Sequence, residues 1–389
     1  PSPAITEADA VRMALARPAV TELVDGNIDA ARGDAVEAGL WSNPLLSYSR
    51  EQVLDGGAAG ADDYVTLSQE FDLGGRRALR GRAGRKRVHA AEHEGAWTRA
   101  GIAAEARRQF HDALHATGRV RAAEAWLARV DEAAKVVGQR TAAGDTSAYD
   151  HRRLLRERAS AEAKYREESA ALEVARARLA GVLGILDPSG LVVAGALLPD
   201  GPPPEADVLL ERVAQRPDVK ALAAEAVAAG LERRAASRGW VPDLTLLGGM
   251  KTTQVGDDRG WGFVAGISMP LPVASHGQGE AARASGRARL AVGRRDLLLS
   301  EAMGETFGLQ AQGIGLSEAA RVFRRDAVEP SEDLARTAEA AYRAGEVGVL
   351  ELLDAWRSVL DASLQVLDLE VSARRARIEL DRTVGEDAR

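Results

Sequence analysis

The sequence predicts a mainly α-helical protomer that also carries four β-strands, in a chain whose two halves repeat the same layout. Aromatic residues make up only 4% of the 389 residues, while alanine, arginine, glutamate and leucine recur throughout, a balance typical of long helices packed through small side chains. Two long stretches are almost free of proline, and two pairs of short segments alternate apolar with polar residues. These features predict long helices joined to two β-hairpins.

The internal repeat rests on matching segments about 200 residues apart. Each of the following pairs occurs in the same order in both halves: Glu7-Ala8-Asp9 with Glu205-Ala206-Asp207, Trp41-Ser42-Asn43-Pro44 with Trp240-Val241-Pro242-Asp243, and Ala143-Gly144-Asp145 with Ala344-Gly345-Glu346. We therefore expect two structural repeats, 1-198 and 199-389, separated by a connector rich in proline and glycine.

Each repeat is predicted to run through a helix, a hairpin, a very long helix and a return helix. In the first repeat the hairpin covers 45-72, the long helix 76-140 and the return helix 149-184. In the second repeat the corresponding ranges are 244-270, 279-342 and 349-384. A helix of that length rises roughly 95 Å at 1.5 Å per residue. No ordinary globular domain needs such a helix, so these helices must pack lengthwise on others.

The strands carry a one-sided apolar pattern. The side chains expected on the apolar face are Val65, Leu67, Phe71, Trp261, Phe263 and Ile267. No apolar stretch approaches the roughly 18 residues that a spanning helix needs, so any membrane crossing is expected to use strands. Four strands cannot close a barrel, whereas three chains would supply twelve, with apolar side chains outside and polar ones inside. The sequence therefore predicts a trimer that contributes to a transmembrane β-barrel.

The return helix of the second repeat has a coiled-coil seam. Its apolar residues recur at steps of three, four or seven: Trp356, Leu360, Leu364, Leu367, Val371 and Ile378. This spacing predicts lengthwise packing against a neighbouring helix.

Composition also excludes several classes of function. The formal net charge of −7 argues against nucleic acid as a general partner, because phosphate binding needs a concentrated basic face. The chain has no cysteine, which excludes disulfides, thiolate metal sites and a cysteine nucleophile. No catalytic motif is present, so we expect neither an enzyme nor a bound cofactor.

With these elements placed, the sequence resembles the TolC family of outer-membrane efflux proteins over essentially its whole length. The duplicated layout is one part of the resemblance. More specific are Trp41-x-Asn43-Pro44, the run 68-77 (SQEFDLGGRR), the run 267-272 (ISMPLP) and Gly277-Gln278-Gly279, which resemble the branch that serves cobalt-zinc-cadmium exporters of the resistance-nodulation-division class. Many members carry a lipidated N-terminal cysteine, and this sequence departs from them because it has none.

The resemblance implies a homotrimer whose barrel sits in the lipid of the outer membrane of a Gram-negative bacterium. Its helical tube would extend into the periplasm and meet a periplasmic adaptor and an inner-membrane proton-driven pump. The expected function is a passive exit duct for heavy-metal cations. A multidrug or type I protein-secretion duct of the same fold is one alternative, and a periplasmic coiled-coil adaptor or scaffold is another.

The resemblance also implies two functional segments at the periplasmic tip. Glu351 and Asp354 match the family's acidic gate positions and, three residues apart, fall on one helix face. The other interpretation is an ordinary solvated face with carboxylates favoured at a helix start. The residues expected to touch the adaptor are Gly144, Asp145, Thr146 and Ser147 in the first repeat and Gly345, Glu346, Val347 and Gly348 in the second.

Four histidines in the first long helix have a spacing that suits metal binding. His89 and His93, and likewise His111 and His115, are four residues apart, which lets two imidazoles hold one Zn²⁺. No third ligand is evident, and we expect the four to lie on a solvated helix face. The sequence therefore predicts no metal site.

Overall fold

The computed structural model describes residues 4–53, 60–142, 147–255 and 257–386. The helices of the first half are α1 (Glu7–Leu15), α2 (Pro18–Glu37), α3 (Arg76–Ala142) and α4 (Ala148–Leu183). Those of the second half are α5 (Ala206–Ala214), α6 (Pro217–Ala236), α7 (Gln278–Phe323), α8 (Glu329–Ala344) and α9 (Val349–Thr383). The strands are β1 (Leu45–Val53), β2 (Gly60–Phe71), β3 (Leu244–Val255) and β4 (Asp258–Ser268).

The prediction of one helix before each hairpin was wrong, because two helices precede each hairpin. The first break lies just before Pro18, which begins α2, and the second just before Pro217, which begins α6. Proline has no backbone N–H and its ring obstructs a preceding helical turn, so it is favoured at the first position of a helix and disfavoured inside one. The two Arg-Pro pairs therefore set these boundaries.

The second long helix also departs from a regular α-helix. A π-helical segment, Arg324–Val328, joins α7 to α8, and Pro330 follows it within the first turn of α8. A π-helical turn changes the spacing of the backbone hydrogen bonds locally. The helix can therefore continue although proline has no N–H to donate. The helical path thus runs on past the only proline in this part of the chain.

The four strands form one antiparallel sheet in the order β1-β2-β3-β4. Tyr48 of β1 lies opposite Val65 of β2, Val65 opposite Met250 of β3, and Met250 opposite Phe263 of β4. The two hairpins therefore pair through β2 and β3. Within the described residues β1 and β4 each have a single neighbour, which makes them the edge strands of the sheet.

The chain divides into two compact units. The first comprises Pro1–Leu23, Ala96–Arg216 and Leu299–Arg389, and the second comprises Val24–Gly95 and Pro217–Leu298. Both units draw segments from both halves of the sequence, so the compact units and the predicted repeats divide the chain differently. The division at residue 198 stays a prediction.

The first unit is helical and has its core between α3, α4, α8 and α9. Its buried residues include Val130, Leu154, Leu352, Leu353, Trp356 and Leu360. Close approach of α3 and α9 depends on Gly118, since a Cβ there would lie 2.9 Å from Leu367 Cδ2. In the predicted seam of α9, four residues are buried and Leu364 and Leu367 are partly buried. Lengthwise packing of the return helix is thereby confirmed.

The second unit contains the sheet, α6, and parts of α2, α3 and α7. Small side chains let α3 and α6 pack closely through Leu79, Ala83, Ala228, Leu231 and Ala235. On the other side of α3, a Cβ at Gly84 would lie 2.6 Å from Ala35 Cα of α2, so this position requires glycine. None of the described helices combines the length and apolar character that a membrane-spanning helix needs.

Candidate functional site

One face of the sheet exposes large apolar side chains. Side chains alternate between the two faces along each strand, and the register across the strands places these large apolar side chains on one face. We call them the apolar face: Leu46, Tyr48, Val65, Leu67, Leu246, Met250, Trp261, Phe263 and Ile267. Phe263 is 80% exposed and Trp261 is 70% exposed. A contiguous apolar surface of this kind marks an interaction site rather than ordinary solvated protein.

The opposite face of the same sheet is polar. It carries Ser47, Ser49, Thr66 and Ser68, and a Lys251 Nζ to Asp62 Oδ2 ion pair of 2.5 Å joins β3 to β2 across it. Gly262 and Gly266 on this face leave space beside β4, whereas a Cβ at Gly249 would lie 2.2 Å from the carbonyl oxygen of Val65. The sheet therefore separates an apolar environment from a polar one.

Aromatic side chains stand at both ends of the strands. Trp41 and Trp240 precede β1 and β3 at the end nearest the helices, and Trp261 lies near the loop between β3 and β4. Arg77 of α3 lies over the Trp41 ring, 3.3 Å from its centroid, and Trp240 stacks on His276 at 4.4 Å. Aromatic rings at two levels of an apolar sheet are typical of the girdles at membrane interfaces.

Of the six residues predicted to face the membrane, five lie exposed on the apolar face. Phe71 is the exception: it is half-buried and contacts Trp41 edge to face, with ring centroids 5.9 Å apart. Sequence reasoning missed Leu46, Tyr48, Leu246 and Met250. Leu46 and Tyr48 alternate with Ser47 and Ser49, so the period-two signal was present in β1, but only the register places them beside Leu67 and Val65.

The turn between α8 and α9 contains the second set of predicted residues. Gly345 ends α8 in the left-handed region with φ of 78°, and its N–H donates to the carbonyl of Tyr342 at 3.1 Å. Glu346 N–H donates to the carbonyl of Ala341 at 2.9 Å. A side chain at Gly345 would be strained, so glycine fixes this tight turn. Gly345, Glu346 and Gly348 are exposed, and Val347 is half-buried.

Glu351 and Asp354 lie together on the exposed face of α9, opposite buried Leu352 and Leu353. Glu351 Oε2 accepts a hydrogen bond of 3.1 Å from the backbone N–H of Gly348, so this carboxylate also caps the helix. Capping occupies one carboxylate oxygen and leaves the side chain at the surface. Both sequence interpretations, the gate pair and the helix-start pair, are therefore compatible with the local geometry.

The first-repeat tip is only partly visible. Gly144, Asp145 and Thr146 lie outside the described residues. Ser147 caps the start of α4, where its hydroxyl accepts a hydrogen bond of 3.1 Å from the N–H of Tyr149. This is the usual role of serine at a helix start.

The four histidines each have a separate environment. His89 is exposed and contacts Glu92 at 3.1 Å, whereas His115 Nε2 contacts Asp368 Oδ1 at 2.7 Å. His111 is 1% exposed and contacts Glu7 Oε2 at 2.9 Å. The prediction that all four lie on a solvated face was therefore wrong for His111, because α1 covers that part of α3. Burial lowers the pKa of His111, which favours a neutral ring that donates from Nε2.

No group of three histidine, cysteine, aspartate or glutamate side chains suited to a metal ion occurs among the residues with described positions. Burial lowers the pKa of His93, and the nearby Lys220 and His89 lower it further. Among the described residues, neither histidine pair therefore has a third side chain placed to complete a metal site.

Comparisons with known proteins agree with this geometry. Residues 209–386 match the family described as outer membrane efflux protein. The chain is 27% identical over 369 residues to the cobalt-zinc-cadmium resistance protein CzcC of Cupriavidus metallidurans, covering 92% of this chain and 84% of that protein. It is 25% identical to the nickel and cobalt resistance protein CnrC of the same organism, covering 64% of this chain and 59% of that protein.

The fold has a close match among solved structures. CusC, described in connection with transmembrane channel formation, superposes with a TM-score of 0.79 at 18% identity, covering 97% of this chain and 92% of that one. This likeness confirms the predicted TolC-like fold of long helices and four strands per chain. Sequence, relatives and fold therefore agree in a likeness to outer membrane efflux proteins, with residues 209–386 matched by the family itself.

Proposed function

We propose that this chain is one protomer of a trimeric outer-membrane duct through which heavy-metal cations leave a Gram-negative cell. The observation that supports the proposal is a sheet that, in the described part of the chain, has an uncovered apolar face and two open edges. Such a sheet is unstable alone in water, since its apolar side chains and edge groups have no partners. Lipid would cover the face, and further copies would cover the edges.

The edges are suited to pairing with copies of this chain. The edge strands β1 and β4 contain 9 and 11 residues and therefore have similar lengths. Pairing β4 of one protomer with β1 of the next, three times, would give twelve strands and leave no open edge. The apolar face would then point to lipid and the polar face to a lumen.

The cargo assignment rests on relatives. CzcC and CnrC are named as metal-resistance proteins, and the run around Trp41 and Asn43 resembles the same branch. We infer that a periplasmic adaptor and an inner-membrane pump of the resistance-nodulation-division class deliver the cations. The exposed α8–α9 turn, with Gly345, Glu346, Val347 and Gly348, is the proposed adaptor contact. The tip at Gly144, Asp145, Thr146 and Ser147 is the proposed second contact.

The entrance is assigned to Glu351 and Asp354. Three copies would bring six carboxylates to a narrow opening, where their mutual repulsion raises the negative potential and attracts cations. Divalent ions bridge carboxylates from neighbouring chains and so would hold the opening closed. The exposure of both side chains on one face of α9 supports this assignment.

A resistance assay tests the cargo. A strain lacking this chain should become sensitive to cobalt, zinc or cadmium, and the intact chain should restore resistance. Restored tolerance only to organic drugs, or only restored protein secretion, would instead support one of the alternative ducts of the same fold. Mass measurement in detergent tests assembly, since a monomer would contradict the trimer and support a scaffold.

A further inference from the structure

A cluster of five basic side chains lies on one surface of the second unit. Arg82, Arg85 and Lys86 of α3 and Arg233 and Arg234 of α6 are all exposed, and they line a groove of about 500 Å³; we call them the basic patch. Val227, Gly230 and Leu231 form the floor of this groove, and His89 lies at its margin.

The basic patch has no acidic counterpart in the chain as described. Among the described residues, none of its five cations forms an ion pair, whereas Arg76, Arg80 and Arg87 on the same helix pair with Asp243, Glu280 and Glu232, respectively. The nearest carboxylates in sequence are also occupied, because Glu92 contacts His89 and Glu232 contacts Arg87. Five like charges held together in this way create a positive potential that favours an anion from outside the chain.

The paired and unpaired arginines lie on opposite faces of α3. At 100° per residue, Arg82, Arg85 and Lys86 share one face, and Arg80 and Arg87 share the other. The basic residues at the start of α3 therefore belong to two separate surfaces of the helix. Among the residues with described positions, ion pairs neutralise one surface and leave the other unneutralised.

The side of the sheet to which the basic patch belongs is inferred from the paired arginines on the opposite face of α3. Arg80, on the paired surface, lines a cleft together with Glu70 of β2. Glu70 leaves β2 on the face opposite Val65 and Leu67, because successive side chains of a strand alternate. The paired arginines therefore continue the polar face of the sheet, and the basic patch continues the apolar one.

The patch is also close to the sheet along the chain. Four residues separate the end of β2 from the start of α3, and Arg82 and Lys86 lie roughly 9 and 15 Å along that helix. Arg233 and Arg234 stand in the last turn of α6, which leads to Trp240 and β3. A headgroup layer is about 5–8 Å thick, and charges act over a further 8–10 Å at physiological salt, so headgroups bordering the sheet are within reach.

We propose that the basic patch binds the phosphate-bearing headgroups of anionic phospholipids in the leaflet next to the helical end of the sheet. The inference rests on the membrane placement proposed above. Unpaired guanidinium groups bind phosphate through paired N–H donors, and a polybasic surface beside a membrane is attracted to anionic lipid. Exposed Val227 in the floor offers an apolar contact to the lipid behind the headgroup.

The test compares short-chain phosphatidylglycerol with short-chain phosphatidylcholine by calorimetric titration of the whole protein in non-ionic detergent. The variant replaces Arg82, Arg85, Lys86, Arg233 and Arg234 by glutamine. The matched control makes the same change of charge at five exposed arginines of α3 and α4: Arg121, Arg129, Arg140, Arg152 and Arg156. Wild type and control should prefer phosphatidylglycerol by roughly tenfold, and the variant should lose that preference.

Several outcomes would overturn the inference. Equal binding of the two lipids by wild type would do so, as would a preference that survives in the variant. Inorganic phosphate that displaces phosphatidylglycerol at equal concentration would assign the groove to free phosphate instead. If the fivefold variant fails to fold, the triple variant Arg82→Gln, Arg85→Gln and Lys86→Gln replaces it in the same titration. The triple variant should lose part of the preference for phosphatidylglycerol.

A separate measurement distinguishes this inference from the proposed function. Wild type and variant should both co-float with vesicles of pure phosphatidylcholine, since the apolar face needs no lipid charge. Flotation without a preference for phosphatidylglycerol would contradict lipid binding by the basic patch and leave the membrane placement standing. Failure of both proteins to associate with these vesicles would contradict the membrane placement itself.

Discussion

Helix α9 and strand β4 both carry a regular row of large apolar side chains, yet the chain buries one row and leaves the other exposed. Trp356 of α9 is 6% exposed, whereas Trp261 of β4 is 70% exposed. The row on α9 finds partners on α3, α4 and α8 of the same chain. The row on β4 finds none among the described residues. The helical region is thus stabilised from within, whereas the proposed function has the sheet covered by lipid and by further copies of the chain.

The largest effect should come from opening the helical core. Trp356→Ala removes a buried ring and its hydrogen bond of 2.9 Å from Nε1 to Glu339, which should lower the free energy of unfolding by about 3–5 kcal/mol. Chemical denaturation in detergent measures it. Ser358→Ala on the exposed side of α9 is the control and should change little. Equal effects of the two changes would mean that the core does not stabilise this region.

The second prediction concerns the apolar face. Phe263→Arg should lower the free energy of unfolding in lipid vesicles by about 2–4 kcal/mol if the residue lies near the bilayer midplane, because a charge would replace an apolar ring facing lipid. Ser49→Arg adds the same charge on the polar face and should have a small effect. Full tolerance of Phe263→Arg would contradict the contrast between the two regions.

An ion pair inside the helical region should respond to acid. Hydrogen bonds from Arg119 lower the pKa of Glu168 to about 2, against the opposing effect of burial and with help from Lys164. Because the folded-state pKa is depressed, this stabilisation is present above about pH 4.5 and is lost as pH falls towards 2. Glu168→Gln should cost about 2 kcal/mol at neutral pH and remove this acid-dependent loss.

Exposed Glu167 beside it supplies the control for that measurement, since it also contacts Lys164, at 3.0 Å. Glu167→Gln should leave both stability and its pH dependence nearly unchanged. Unfolding measured from pH 7 to pH 3 distinguishes the two variants. An unchanged slope in Glu168→Gln would mean that other carboxylates govern the acid response.

The smallest effect on stability is expected at the entrance. Glu351→Gln with Asp354→Asn removes no core packing, so trimer assembly should persist while cation-over-anion selectivity and block by divalent ions fall in planar bilayers. Glu332→Gln with Asp361→Asn makes the same change of charge at other exposed positions and should alter neither property. Unchanged conductance properties in the first double variant would show that these carboxylates face away from the lumen.

Local patterns were enough to predict much of the architecture. The period-two alternation predicted the strands, and the absence of proline predicted α3. That helix ends two residues beyond its predicted boundary. The breaks before Pro18 and Pro217 were missed although proline at a helix start is a local signal. The π-helical segment before Pro330 was also missed, because helix periodicity persists through it.

The sequence by itself determined which residues alternate, where long helices run and which family the chain resembles, because these depend on neighbours a few positions apart. Only the tertiary structure decided that Leu46 and Met250 join the apolar face, that α1 buries His111, and that the arginines of α3 divide into paired and unpaired surfaces. Each of these depends on residues distant in the chain, whose register and packing local periodicity does not specify.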